Sequence, residues 1–136
     1  MNCMKYVNKI IAVDLDDTLC YRPEGIEHLG KEKYLQCLPI ESNISFINNL
    51  SDAGHTIIIY TARGMYTFKM DVEEVYRNLF KLTSDQLQQW GVKYTKLVMG
   101  KYPYDYLLDD KALSLREMDR LKPLFNKVIH YGNTRP

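Results

Sequence analysis

Three carboxylates, Asp14, Asp16 and Asp17, sit at the end of the apolar run Ile10–Val13 in the stretch KIIAVDLDDTLCY. Clustered negative charge beside a buried segment is costly unless a cation or a function compensates it. Asp14 and Asp16 are two residues apart, so on an extended chain their side chains leave on the same side. Two more carboxylates, Asp109 and Asp110, close the apolar stretch YDYLL at 104–108, and the run TIIIYT at 56–61 ends in Thr61-Ala62-Arg63-Gly64. Carboxylates, a hydroxyl and cationic side chains suit Mg²⁺ and a phosphate ester. The hard cation takes a few protein carboxylates, and water and phosphate oxygens complete its octahedron. Such a metal keeps neighbouring carboxylates ionised. An ionised Asp can then attack phosphorus while a second carboxylate handles the leaving-group proton.

These residues need elements to bring them together. Continuous apolar runs at 10–13, 56–61, 96–99 and 104–108 read as strands covered on both faces. Between them, Ile40, Ile44 and Ile47 repeat at helical spacing and Gly54 follows as a stop. Val72, Val75, Tyr76, Leu79 and Phe80 fit the amphipathic helix template. Thr83 with Gln86, and Ser114 with Glu117, have capping-box spacing and predict two further helix starts, the first of these helices ending at Gly91. Strands alternating with helices predict an α/β fold: a Rossmann-like three-layer sandwich with a mainly parallel central sheet, in one domain over 1–136. Parallel strands end at one edge, where open α/β sheets bind ligands. The link GKYP before 104–108 is too short for a helical crossover, and 127–131 is a candidate edge strand. Residues 20–39 show no periodic element, and a loop of that length beside the acidic cluster predicts a flap over the site.

The spacing carries a resemblance. VDLDDTL resembles the first motif of the haloacid dehalogenase superfamily of phosphatases, IIIYTAR its second, and GKYPYDYLLDDKA its third and fourth, in order over residues 9–113. The resemblance implies Asp14 as nucleophile and Mg²⁺ ligand, and Asp16 as general acid/base with its carbonyl on the metal. It implies Thr61 on a phosphoryl oxygen, Lys101 balancing charge, Asp109 as the acidic metal ligand and Asp110 beside it, with Thr18 shaping the loop. Ala62 and Arg63 join Thr61 and Lys101 as candidate substrate contacts. Lys93, Lys96 and Lys111 are rivals of Lys101, which fits best by its spacing before Asp109. The chain leaves no room for a large cap. TARG and YPYDYLLDDKAL are most similar to a group of short phosphatases of capsule and polysaccharide biosynthesis. The expectation is a Mg²⁺-dependent hydrolase of a sugar phosphate or other small phosphomonoester, working through an aspartyl-phosphate.

Plainer readings stand beside these. Asp17 and Asp110 also fit as solvated strand-end residues, and Arg63 as a structural partner of Asp109 or Asp110. His28, His55 and His130 lack ligand spacing and suit loops or the surface. Trp90 and Tyr76 fit a core, while Tyr102, Tyr104 and Tyr106 alternate along one face, as a cleft wall or a subunit contact. The three cysteines, Cys3, Cys20 and Cys37, form no CxxC pair and suit free thiols. A phospho-receiver, a DxD glycosyltransferase and a catalytically silent phosphate- or metal-binding module of the same fold are the rival functions. Receivers place their acidic pair and Lys differently along the chain, and the glycosyltransferase leaves Thr61 and Lys101 unexplained. A net charge of +1 gives no reason to expect nucleic acid. No apolar run is long enough to span a bilayer, no signal core opens the chain, and a cytoplasmic protein is expected, with a homo-oligomer left open.

Overall fold

The computed structural model describes residues 7–126. The edge strand expected at 127–131, and His130, lie outside the described residues. Three of the four expected strands form: β1 (Ile10–Val13), β4 (Thr56–Tyr60) and β5 (Lys96–Val98). They pair in parallel in the order β1-β4-β5, with Val13 beside Ile59 and Ile59 beside Leu97. Their carboxyl ends share one edge, so Asp14 and Thr61 emerge together as the strand-end rule requires.

Helices α1 (Glu41–Asp52) and α2 (Val72–Gln89) carry the two crossovers. Ile44, Ile47 and Leu50 of α1 and Val75, Leu79 and Leu87 of α2 are buried. Gly54 (φ 105°) turns the chain after α1, and Asp71 caps α2 by accepting from the Glu74 N–H. The helix start expected at Thr83 is absent, and α2 runs unbroken to Gln89 before Gly91. Thr83 and Gln86 are buried, and both side chains accept from Arg63, so neither is free to cap backbone.

Right-handed crossovers stepping the same way across a sheet place both helices on one face. The Asn48 amide of α1 donates to the Gly91 carbonyl just beyond α2, tying the pair side by side. Val13, Ile57, Ile59 and Leu97 face these helices and are buried. On the opposite face Ala12 is exposed and Ile10 is 71% exposed. The molecule is thus an α/β, Rossmann-like fold. Among the described residues it consists of a parallel sheet, one helical layer and no large cap.

The expected strand at 104–108 is not formed. It follows β5 too closely to reach the free edge of β1 in its own chain, and it does not turn back onto the free edge of β5, so its backbone has no strand to pair with. Residues 20–39 are more ordered than a bare loop. β2 (Cys20–Tyr21) pairs antiparallel with β3 (Leu38–Pro39), and 3₁₀ turns fill Glu27–Gln36, kinked at Gly30. The capping box of Ser114 and Glu117 forms as expected, but it opens a 3₁₀ helix, Leu115–Phe125. That helix lies on α1 through Phe125 and Phe46, whose ring centroids are 4.7 Å apart.

His55 departs from its expected surface place. It is buried, its Nδ1 accepts from the Lys9 N–H, and its Nε2 meets the Leu124 carbonyl at 2.8 Å. Tyr76 is exposed and Trp90 only partly buried against the core, so neither is a full core residue. No helix among the described residues is long and apolar enough to cross a membrane.

Candidate functional site

The site starts with a tight turn after β1. The Leu15 carbonyl accepts from the N–H groups of Thr18, Leu19 and Cys20, and the Asp17 N–H donates to the Cys20 carbonyl. Asp17 holds φ 68°, a left-handed conformation that Asp tolerates better than most residues. It is exposed, as a solvated turn residue should be. This winding separates the two carboxylates expected on one side, and each has its own partners.

Asp14 faces the open edge with its side chain 41% exposed. Its Oδ2 accepts from the Thr18 hydroxyl at 3.2 Å, and Lys101 Nζ lies 3.6 Å from Oδ1. Lys101 is held over the site because its N–H donates to the Thr61 carbonyl. Its ammonium also lies 5.7 Å and 5.3 Å from the ring centroids of Tyr60 and Tyr104. Its rival Lys93 is bound to Asp52. Of the four candidate lysines, Lys101 is the one within ion-pair distance of Asp14 among the described residues. The Thr61 hydroxyl accepts from the Arg63 N–H at 3.0 Å, which leaves its own proton to donate. Ala62 is partly buried beside it.

Asp16 points the other way. Arg63 grips it with two bonds, Nε to Oδ2 at 3.1 Å and Nη2 to Oδ1 at 2.8 Å. The Arg63 side chain is fully buried. Its Nη1 donates to Gln86 and Thr83, and Nη2 also meets Cys20 and Cys37 Sγ. All five guanidinium protons thus have partners. This corrects the expectation that Arg63 contacts substrate, or pairs with Asp109 or Asp110, because it has no donor left for either. Burial pushes the Asp16 carboxyl upward, but hydrogen bonds and charge from Arg63 outweigh it and leave the pKa lowered. Both Asp16 oxygens are taken by Arg63 and turned toward the buried side of the turn, so the expected acid/base role of Asp16 finds no support in the geometry.

The sequence did not reveal the group that surrounds Arg63. Cys20, Cys37 and Asp16 place ligating atoms within 4.8 Å of one another, a spacing a metal ion would accept. The guanidinium of Arg63 already supplies the positive charge there. Hydrogen bonding to Cys37, burial and the Asp16 charge push the Cys20 thiol well up, so it is no nucleophile. Tyr34 completes the shell: its ring lies 4.9 Å from the guanidinium carbon, its hydroxyl accepts from the Gly64 N–H, and its carbonyl accepts from Gln86. The flap is therefore tied to the Arg63 loop and to α2. The capping-box spacing of Thr83 and Gln86 was the visible trace of this network, read there as a helix start.

Asp109 and Asp110 are not brought to Asp14. Both are exposed, and Asp109 Oδ1 accepts from the Lys111 N–H. That bond, with further hydrogen bonds from Asp110, lowers the Asp109 pKa. No group of three carboxylates forms among the described residues. Among the described residues the expected donor set of Asp14, Asp16, Asp109 and Asp110 is not assembled, and Asp14 alone of it faces the open edge, one of the one or two carboxylates that Mg²⁺ takes beside water and phosphate oxygens.

No family model and no curated protein matches the sequence. Among solved structures, the chain is similar to a crystal structure of a structural-genomics target from Vibrio cholerae, at 26% identity and a TM-score of 0.69. The match covers 86% of this chain and 96% of that one, so the α/β architecture is shared over nearly the whole of both.

Proposed function

We propose that this protein hydrolyses small phosphomonoesters, sugar phosphates foremost, with Asp14 as the nucleophile. The observation that carries this reading is the half-exposed Asp14 carboxylate at the end of β1, with Lys101 Nζ 3.6 Å from it. An Asp14 oxygen would form a bond to phosphorus as the ester P–O bond breaks. The departing alkoxide would take its proton from water at this open edge. Lys101 and the Thr61 hydroxyl would stabilise charge on the phosphoryl oxygens. Water would then hydrolyse the aspartyl-phosphate. The resemblance to haloacid dehalogenase phosphatases supports the same roles for Asp14, Thr61 and Lys101, and adds Mg²⁺ as the cofactor. Asp16 and Arg63 act as a brace that fixes the turn and the flap.

A silent phosphate-binding module is the reading favoured by one specific observation, the locked Asp16. Phosphate release from sugar phosphates, nucleotides and an aryl phosphate, with Mg²⁺ and with EDTA, separates the two. The expected result is metal-dependent turnover that falls about 10³-fold or more in Asp14→Asn. Phosphate binding without turnover on any ester would instead support the module, and turnover surviving in Asp14→Asn would remove Asp14 as nucleophile.

A further inference from the structure

The segment 102–113 is at odds with its composition. Tyr102, Tyr106, Leu107 and Leu108 are all more than half exposed, Tyr106 at 94%. Tyr106, Leu107 and Leu108 are consecutive, and an apolar cluster standing in water between Asp105 and Asp109 marks an interaction surface. The same segment carries the carboxylate pair that the site lacks. We infer that it is an exchanged arm: it adds as a strand to the outer edge of β1 in a second copy of this chain and sets its Asp109 and Asp110 beside that copy's Asp14.

Geometry forbids the same pairing within one chain. Met99 is held by hydrogen bonds of its N–H and carbonyl to the Tyr76 hydroxyl, and Lys101 by its bond to the Thr61 carbonyl, so the chain is fixed over the carboxyl end of β4. From Lys101 to Tyr104 it can span about 11 Å at full extension. A parallel strand outside β1 begins two strand spacings away, about 10 Å, and about 13 Å back along the sheet. The shortest line, cutting through the sheet, is roughly 16 Å. A second molecule has no such limit.

The receiving edge matches the arm. β1 is an outer strand among the described residues, and Ile10 and Ala12 on its open face are exposed. Both segments end in apolar residues closed by Asp, Ala12-Val13 before Asp14 and Leu107-Leu108 before Asp109, and the charged Asp105 falls beside Ile10 on the open face. Setting Asp109 beside Asp14 in parallel register places Tyr106 and Leu108 beside Ile11 and Val13 on the covered face. Leu107 then lies over Ala12. Two copies exchanging arms form a closed, self-complementary dimer with two sites, each built from both chains.

The inference rests on the phosphatase reading for what the site does, but its decisive test does not use turnover. Light scattering should give twice the 16.0 kDa chain mass. In a Cys3→Ser background, Ala12→Cys chains mixed with Leu107→Cys chains and refolded together should be joined by a short bis-maleimide. Neither variant should be joined when alone. A monomer, a mixed dimer that does not cross-link, or an Ala12→Cys/Leu107→Cys double variant that links within one chain would overturn the exchange. Where turnover is found, refolding Asp14→Asn with Asp109→Asn/Asp110→Asn should restore up to about a quarter of wild-type activity. Half the dimers are mixed, and each holds one intact site of two. No recovery in an active enzyme would overturn the shared site. If the chains cross-link but no ester is hydrolysed, the exchange stands and the phosphatase reading fails.

Discussion

Two segments of this chain have nearly the same written pattern and opposite fates. Ile10–Val13 followed by Asp14 lies in a sheet, flanked by buried Leu15 and a turn whose polar groups are bonded. Tyr104–Leu108 followed by Asp109 stands in water with no strand partner. Asp105 interrupts the second run, but both runs end in apolar residues closed by carboxylates, and composition alone does not account for the difference. What separates them is access to a neighbour. β1 is followed by enough chain to fold α1 and return as β4 beside it, whereas the arm comes too soon after β5 to reach the free edge of β1 and does not turn back onto that of β5. A strand is a property of a pair, and local sequence does not supply the second member.

The sharpest way to break this comparison acts on the first segment. Arg63→Ala should destabilise the fold by about 3–5 kcal/mol in urea denaturation, because it strands the Asp16 charge and opens a gap between Tyr34, Thr83 and Gln86. A cost under about 1 kcal/mol would show that the brace is dispensable.

Asp16→Asn should cost about 3 kcal/mol at neutral pH by leaving the Arg63 charge short of its partner. It also sharpens the electrostatic half of the comparison. The folded pKa of Asp16 lies below its ordinary 3.8, so its stabilisation is complete above that value and is lost as pH falls through the lower folded value. Wild-type stability should therefore fall more steeply than that of Asp16→Asn as pH drops below about 4. Parallel acid-denaturation curves for the two proteins would contradict the assignment.

The smallest effect belongs to the second segment. Leu108→Ser should change the unfolding free energy of the isolated chain, measured at high dilution, by no more than about 0.5 kcal/mol, since Leu108 touches water. The same change should shift the light-scattering mass toward the monomer. A large loss of stability at high dilution would mean that the arm packs within its own chain.

The sequence by itself determined the parts of this protein that local chemistry controls. The runs at 10–13, 56–60 and 96–98 become strands, the stops at Gly54 and Gly91 and the capping box at Ser114 are where their types require, and Asp14, Thr61 and Lys101 meet at one edge. Strand alternation, turn chemistry and the strand-end rule are written in a few neighbouring residues. Only the tertiary structure decided which partners the charged and polar groups take. Asp16 and Arg63 lie 47 positions apart, and Thr83 and Gln86 a further helix away, so their network left only a spacing that also fits a helix cap. The fate of 104–108 was decided the same way, by where the hydrogen bonds of Met99 and Lys101 hold the chain that leads into it. A buried charge is satisfied by whatever the packing brings within hydrogen-bond reach, and that depends on the whole path of the chain rather than on the residues beside it.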